Sequence, residues 1–480
     1  MTSRYNLQET SQSLSLPSQA RCLIGLYDSQ TGFLEDHSEN ARFLVGCQSV
    51  KPNGSQVHLV TLEEAFSCQS FHFKCQSFIH PDGEVVSLTA MPAAPLLFVS
   101  IYSSVSESRT ELTSGARIWR LPPPSPQTLS AADSEDEREI DFADRPAEQL
   151  EFVSSLPCDN FNSVKKIASH PSDTSSDLAC LLGPPLPGTQ YFTGGKFLSP
   201  ASSFLAILKS SSGDYAVDSC CQLRFPGDES SGGVLTSSVN AIRWSPHRNA
   251  STVGVALDSG VLGMDTRSMQ SSFWLNDVHW PCVRDIDFNP NRDHILATGG
   301  DDGCLSIWDL RYIGKTESFS FRNVSTGTAR QKPLFTIPAH SHWIWSIRYH
   351  PTRDQLLLSA SSDSSVCLYG LPSYSSEVKD VKPSTFAKSR SGAPSPANSE
   401  ISVEGLEDGV LARLDEQHES VYAVDWSPID PWVFASVTFD GHFVVNQVPD
   451  KVKLGILLQR DDDDEEEVEE EEDAGDFDKI

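Results

Sequence analysis

The sequence of 480 residues predicts an all-β fold: a closed ring of seven four-stranded blades with disordered insertions and an acidic C-terminal tail. Three observations support this. One eight-residue phrase recurs four times in the C-terminal half, and a fixed pattern of residues follows each copy. Within each unit, short runs rich in β-branched and aromatic residues alternate with period two and are broken by turn residues, as half-buried strands require. Seven units of about 40 to 45 residues need about 280 to 315 residues, and segments poor in aliphatic residues account for the remainder.

Residues 1–20 are Ser/Gln-rich and expected to be disordered, and the ring is expected over 21–457. A degenerate first unit is read in "RCLIGLYDS", "RFLVGCQS" and "QVHLVTL", and a second in "VVSLTAMP", ending at Pro92, followed by "GARIWRLP". Residues 121–150 then run from "LPPPSPQ" into "SEDEREIDFADRPAEQ" as an insertion. The third unit starts at "VKKIASHP", ending at Pro171, and a Ser/Pro/Gly-rich insertion is expected over 172–202. The next four units open with "VNAIRWSP", "VRDIDFNP", "IWSIRYHP" and "VYAVDWSP", ending at Pro246, Pro290, Pro351 and Pro428. Twelve residues after each of these prolines stands an aspartate: Asp258, Asp302, Asp363 and Asp440. Eighteen after each stands a larger residue that ends an alternating run: Met264, Trp308, Tyr369 and Asn446. A third insertion is expected over 373–416, and a disordered acidic tail over 458–480.

Composition narrows the function. The net charge is −30, of which residues 461–480 carry −13, so the rest of the chain is still acidic at −17. Nucleic acids and anionic membrane surfaces are bound by clustered Lys and Arg, so neither is expected as a partner. The opening "MTSRYNLQETSQSLSLP" has no apolar core of a signal peptide. The apolar window at 91–102 is shorter than the roughly 20 residues a bilayer needs. A soluble cytoplasmic protein is expected, with no direct membrane insertion. Eleven irregularly spaced cysteines without a CxxC pair read as reduced thiols.

Units of this length carrying Trp308-Asp309 resemble the WD repeats of β-propellers. That resemblance implies a structural tetrad in the fifth blade, made of His279, Thr298, Asp302 and Trp308. In such a tetrad the indole donates to the hydroxyl, the hydroxyl to one imidazole nitrogen, and the other imidazole nitrogen to the carboxylate. Related positions are His340, Ser359 and Asp363 in the sixth blade and Ser436 and Asp440 in the seventh, where His418 is displaced by one residue. The fourth blade keeps only Asp258. Aspartates that recur from blade to blade suit a structural device rather than a catalytic pair. Asp301 lacks that role and is expected to face solvent at the rim.

No sequence motif for catalysis, phosphate binding or a metal site is present, so no enzyme, cofactor or metal is expected. The residue after the first aliphatic of each blade is expected to line one rim, at Val86, Lys165, Asn240, Arg284, Trp345 and Tyr422, with Trp343 and Asp301 nearby. These form the candidate partner-binding rim.

The stretches "VRDIDFNPN" (283–291), "HSHWIWSIRYHPTRDQLLLSASSDS" (340–364) and "SVYAVDWSPIDPWVFASVTFDG" (420–441) are more specific than generic repeats. With "RFLVGCQS" and "GARIWRLP", they resemble the WD-repeat family that interacts with the EARP and GARP tethering complexes. The resemblance implies a non-enzymatic adaptor, monomeric, whose partners are subunits of those complexes. It also implies roles in endosomal recycling, endosome-to-Golgi retrograde transport and dense-core vesicle cargo sorting. The expected location is cytoplasmic, peripheral to the trans-Golgi network and endosomes through partners. One alternative stands beside it. "IWDLR" (307–311), with Trp308, Asp309 and Arg311, resembles the box by which WD-repeat substrate receptors engage a cullin-type ubiquitin ligase.

Overall fold

A computed structural model of the chain describes residues 11–26, 40–49, 54–64, 71–105, 112–122, 147–158, 160–184, 203–211, 214–223, 238–312, 331–376, 406–415 and 417–457. Strand β1 (Gln12–Ser15) precedes a first blade made of β2 (Gln19–Gly25), β3 (Ala41–Gln48), β4 (Gln56–Glu64) and β5 (Phe71–Ile79). The second holds β6 (Glu84–Ala90), β7 (Leu97–Val105) and β8 (Leu112–Arg120), while the two-residue β9 (Glu148–Gln149) runs parallel to β5 and β10 (Glu151–Ser155) completes the second blade. The third comprises β11 (Val164–Ser169), β12 (Leu178–Leu182), β13 (Phe204–Ser211) and β14 (Asp214–Gln222), and the fourth β15 (Val239–Trp244), β16 (Thr252–Leu257), β17 (Gly260–Asp265) and β18 (Gln270–Leu275). The fifth contains β19 (Val283–Phe288), β20 (Ile295–Gly300), β21 (Cys304–Asp309) and β22 (Phe335–Pro338), and the sixth β23 (Ile344–Tyr349), β24 (Leu356–Ser361), β25 (Val366–Gly370) and β26 (Gly409–Leu414). The seventh has β27 (Val421–Trp426), β28 (Val433–Thr438) and β29 (His442–Gln447).

Strand β1 supplies the fourth strand of the seventh blade, pairing antiparallel with β29 in the register Gln12↔Val445 and Leu14↔Phe443. The ring therefore closes by main-chain hydrogen bonds between the two ends of the propeller, which removes the open edge a linear array would leave.

Packing follows from the blade arrangement. The second strands of the last three blades, β20, β24 and β28, are buried at every residue, because both faces meet a neighbouring blade. Seven apolar clusters form, one at each blade–blade boundary. The cluster at the closure joins Leu14 and Leu16 to Phe43, Val45, Phe443 and Val445, so β1 is held by its side chains as well as by its ladder. A helical stretch over 450–457 lays Val452 and Ile456 on the cluster between the last two blades, beside Leu356 and Trp426.

Four strands fall where the sequence reading places segments outside the blades. Gln12–Ser15 lies within 1–20, Glu148–Gln149 within 121–150, Leu178–Leu182 within 172–202, and Gly409–Leu414 within 373–416. The reason is scale. "LACLL" is wholly buried, yet its five residues are diluted by the Ser, Pro and Gly around them when composition is averaged over the whole segment. Within those segments, residues 1–10, 123–146, 185–202, 377–405 and 416 lie outside the described residues, as do 458–480.

Candidate functional site: the mouth of the ring

The inner strand of every blade carries the same irregularity. Its register shifts across one residue, between Ala20/Cys22, Val85/Ser87, Val164/Lys166, Val239/Ala241, Val283/Asp285, Ile344/Ser346 and Val421/Ala423. A bulge bends the strand and re-aims the extra side chain. The re-aimed residues are Arg21, Val86, Lys165, Asn240, Arg284, Trp345 and Tyr422, and all but Lys165 line the central cavity of about 560 Å³. Six of the seven are the rim positions expected from the sequence. The seventh is Arg21, whose position is legible in "ARCLIG" once the first blade is aligned on the bulge rather than on a proline.

Two halves of this mouth differ in chemistry. On the side of blades five to seven, the Arg284 guanidinium lies 4.8 Å from the Trp343 ring centre and 4.9 Å from that of Trp345. Trp343 and Trp345 meet edge to face at 5.8 Å, while the rings of Trp345 and Tyr422, at 5.1 Å, and of Tyr422 and Phe439, at 5.7 Å, are tilted to each other. Trp343 is 39% exposed and Phe439 36%. Arg284 also binds the Asp301 carboxylate through Nε and, at 3.1 Å, through Nη2. Asp301 is therefore not the solvent-facing residue expected of it. Its side chain is only 3% exposed, because the bulge turns Arg284 onto it. Trp280, which the sequence reading does not select, stands 79% exposed in the turn entering the fifth blade.

On the other side the character is cationic. The Lys165 ammonium donates to Ser203 Oγ at 3.0 Å, and Asn240 donates to the Val283 carbonyl at 2.7 Å. These two contribute to the mouth through neighbouring blades and do not join the aromatic arc. Below them Lys166 lines the cavity, its pKa lowered by burial and partly restored by Asp285.

Deeper still, a charged network ties the inner strands together. Asp285 accepts from Arg348 Nη1 at 2.6 Å, from Arg243 Nη2 at 3.4 Å and from the Ile347 amide at 3.1 Å. Burial pushes its pKa up, but the two guanidiniums outweigh burial and hold it below the ordinary value. Asp287 receives the Tyr349 amide at 2.8 Å, yet burial prevails there and raises its pKa to about 6. Asp425 accepts from the Gly25 amide at 2.9 Å and so links the seventh blade to the first.

Behind the rim sit the tetrads. His279 Nδ1 lies 2.9 Å from Asp302 Oδ1, its Nε2 lies 2.8 Å from Thr298 Oγ1, and Trp308 Nε1 donates to that hydroxyl at 3.0 Å. His340 bridges Asp363 at 3.1 Å and Ser359 at 2.6 Å, and the Tyr369 hydroxyl lies 2.8 Å from Ser359 Oγ. In the seventh blade the imidazole is absent. Gln417 donates to Ser436 Oγ at 2.9 Å, while His418 is exposed and Asp440 pairs with His442 at 3.0 Å. Asp258 accepts from the amide and hydroxyl of Ser238, at 2.6 and 2.8 Å.

The second blade holds a further set that the sequence reading misses. His80 Nε2 lies 2.9 Å from Ser100 Oγ, to which Trp119 donates at 2.8 Å. The spacing hides it because the β7–β8 hairpin is longer. In cross-strand register nothing has changed: Trp119 faces Phe98, two before Ser100, as Trp308 faces Leu296, two before Thr298.

On the opposite face Arg311 donates to Asp309 through Nη2 at 2.7 Å, with the Arg311 side chain 60% exposed and Tyr312 beside it. Among the described residues no group of three or more His, Cys, Asp or Glu could hold a metal ion. Burial pushes the Cys22, Cys220 and Cys367 thiols up to about 12, far from a reactive thiolate. No described helix is long and apolar enough to cross a membrane.

Residues 227–369, which contain the His279 and His340 tetrads and the Arg284–Trp345 pair, match the family model described as EIPR1 beta-propeller. Over 424 residues the chain is 34% identical to the human EARP and GARP complex-interacting protein 1, and 33% to the rat protein of that name. Each alignment covers 87% of this chain and 93% of the relative. The chain belongs to this family. A more distant member, EARP-interacting protein 1 of Caenorhabditis elegans, is 28% identical over 439 residues, covering 92% of this chain and 96% of its own. Coverage of this extent makes the likeness one to most of the chain rather than to a single repeat motif.

Proposed function

We propose that this chain is a non-enzymatic adaptor that binds EARP- and GARP-type vesicle-tethering complexes through the bulged mouth of its propeller. The observation that carries the reading is the aromatic arc of Trp343, Trp345, Tyr422 and Phe439 around Arg284, partly exposed on a rigid ring. Trp, Tyr and Arg dominate the energies of protein interfaces. The relatives' names supply the partner class. The resemblance read in the sequence extends the proposal to roles in endosomal recycling, endosome-to-Golgi retrograde transport and dense-core vesicle cargo sorting. The recurring aspartates, whose carboxylates would suit acid–base chemistry, are committed instead to hydrogen bonds that hold blades together.

The test is an affinity pull-down of the tagged full-length protein with mass spectrometry, beside a Trp345→Ala/Tyr422→Ala variant. Tether subunits retained by the wild type and lost from the folded variant support the proposal. Their absence from the wild type refutes it. The ligase-receptor reading keeps one specific support, the exposed Arg311 at the opposite rim. It requires cullin-adaptor subunits to be retained by the wild type and lost on Arg311→Ala.

A further inference from the structure

We infer that the mouth of the ring takes an acidic peptide segment bearing a large apolar or aromatic anchor. The inference rests on the adaptor reading, whose partners are proteins, and adds the chemistry of the segment they present. Two observations carry it, one from each half of the mouth.

The first is charge. Arg21, Lys165 and Lys166 lie on the inner strands of the first and third blades, and among the described residues none of them forms an ion pair with a carboxylate. The carboxylates nearest the mouth are already committed. Asp301 is clamped by Arg284, Asp285 by Arg243 and Arg348, and Asp258 by Ser238. A chain of net charge −30 thus keeps cations without a salt-bridge partner at its mouth: Arg21 in the lining of the cavity and Lys165, bonded to Ser203, beside it. Asp285, Asp287 and Asp425 line the cavity deeper in, so the cationic character belongs to its entrance, where it favours anionic segments.

The second is shape and polarity. Trp345 and Tyr422 belong to adjacent blades and are tilted by 42° to each other, and the flanking Trp343 and Phe439 are more than one-third exposed. Rigid aromatic walls of this kind desolvate an apolar anchor at small entropic cost. Cations on one side and aromatics on the other fit a segment in which Asp or Glu flank Phe, Trp or Leu. A nucleic acid strand, by contrast, would need a continuous basic track, which the paired Arg284 interrupts.

The experiment measures fluorescence polarisation of labelled synthetic peptides against the purified full-length protein. One peptide has glutamates flanking a central phenylalanine, a second replaces the phenylalanine by serine, and a third replaces the glutamates by lysines. The first is expected to bind about tenfold or more tighter than either other peptide, with affinity falling as salt rises. Arg21→Glu/Lys165→Glu should weaken the glutamate peptide about tenfold and strengthen the lysine peptide, a gain that an unfolded variant cannot show. Trp345→Ala/Tyr422→Ala should erase the advantage of phenylalanine over serine. Equal binding of acidic and basic peptides, or no reversal in the charge-swapped variant, overturns the inference. So does binding that appears only after deletion of 458–480, which would assign the mouth to the chain's own acidic segment. Selective peptide binding with no tether subunit in the pull-down would leave this inference standing and refute the adaptor reading. Tether subunits held equally by the wild type and by both mouth variants would overturn this inference and the mouth as the docking site, and leave only the adaptor role standing.

Discussion

Arg348, on the inner strand of the sixth blade, donates to Asp285 on the fifth at 2.6 Å. Asp285 also draws in Arg243 from the fourth blade, so one carboxylate ties three blades at the wall of the cavity. Removing Asp285 leaves two half-buried guanidiniums with only longer contacts, Arg243 to Asp287 and Arg348 to Asp425, each at 3.9 Å. Asp285→Ala is therefore expected to destabilise the protein by about 3–5 kcal/mol. Denaturant unfolding checks this against Asp293→Ala, which removes the partner of the exposed Arg248 and should cost under about 1 kcal/mol.

Ser100 anchors both His80 and Trp119, at 2.9 and 2.8 Å. Ser100→Ala leaves a buried imidazole and an indole N–H without that partner. The expected cost is about 1–3 kcal/mol, comparable with Thr298→Val in the fifth blade. A loss near zero at Ser100 in chemical denaturation would show that the second blade does not depend on its network.

Ring closure depends on the apolar side chains of the N-terminal segment as much as on the β1–β29 ladder. Leu14 and Leu16 are each 8% exposed, in the cluster that also holds Phe443. Replacing both by Asp removes about 1.5–3 kcal/mol of burial per residue and places charges in that cluster. A lower Tm and a concentration-dependent increase in apparent mass are expected, because β29 then presents an unpaired edge.

Stability should fall as the solution is acidified from about pH 6.5 to about pH 4, the window between the unfolded and folded histidine pKa values. Burial lowers His58, His80 and His350 to about 4, so over that window the unfolded chain binds protons that the folded one refuses. Each histidine contributes up to about 3 kcal/mol, present above its unfolded pKa and lost as pH falls through the folded one. Asp287 works in the opposite sense: its pKa, raised to about 6, makes the folded state bind the extra proton. Burial also raises Asp82 and Asp425 and lowers His170, and the three large histidine shifts outweigh the large upward shift of the Asp287 carboxyl. Thermal melts across this range should show the decline, and His80→Gln should flatten it.

Much of the architecture is legible in the sequence because blade geometry imposes spacing. A strand, a tight turn and a second strand of set length put Asp302, Asp363 and Asp440 at the same interval from Pro290, Pro351 and Pro428. Where hairpins lengthen, as in β7–β8, interval and register part company, and the set of His80, Ser100 and Trp119 no longer shows in the spacing. Short strands buried in biased composition, such as Leu178–Leu182, escape for a related reason: their signal occupies five residues.

By itself, then, the sequence determined the blade count, the order of the blades and six of the seven rim positions, since each depends on a local period of two and a repeat of fixed length. The tertiary structure decided everything that depends on which blades are neighbours. Closure by β1 places the first blade beside the seventh, where the Gly25 amide meets Asp425. Adjacency of the fifth and sixth blades lays Arg284 over Trp345, and that of the sixth and seventh sets Trp345 against Tyr422. Side chains separated by about one repeat meet only when the ring has closed and its bulges have turned them inward, a geometry that no interval along the chain encodes.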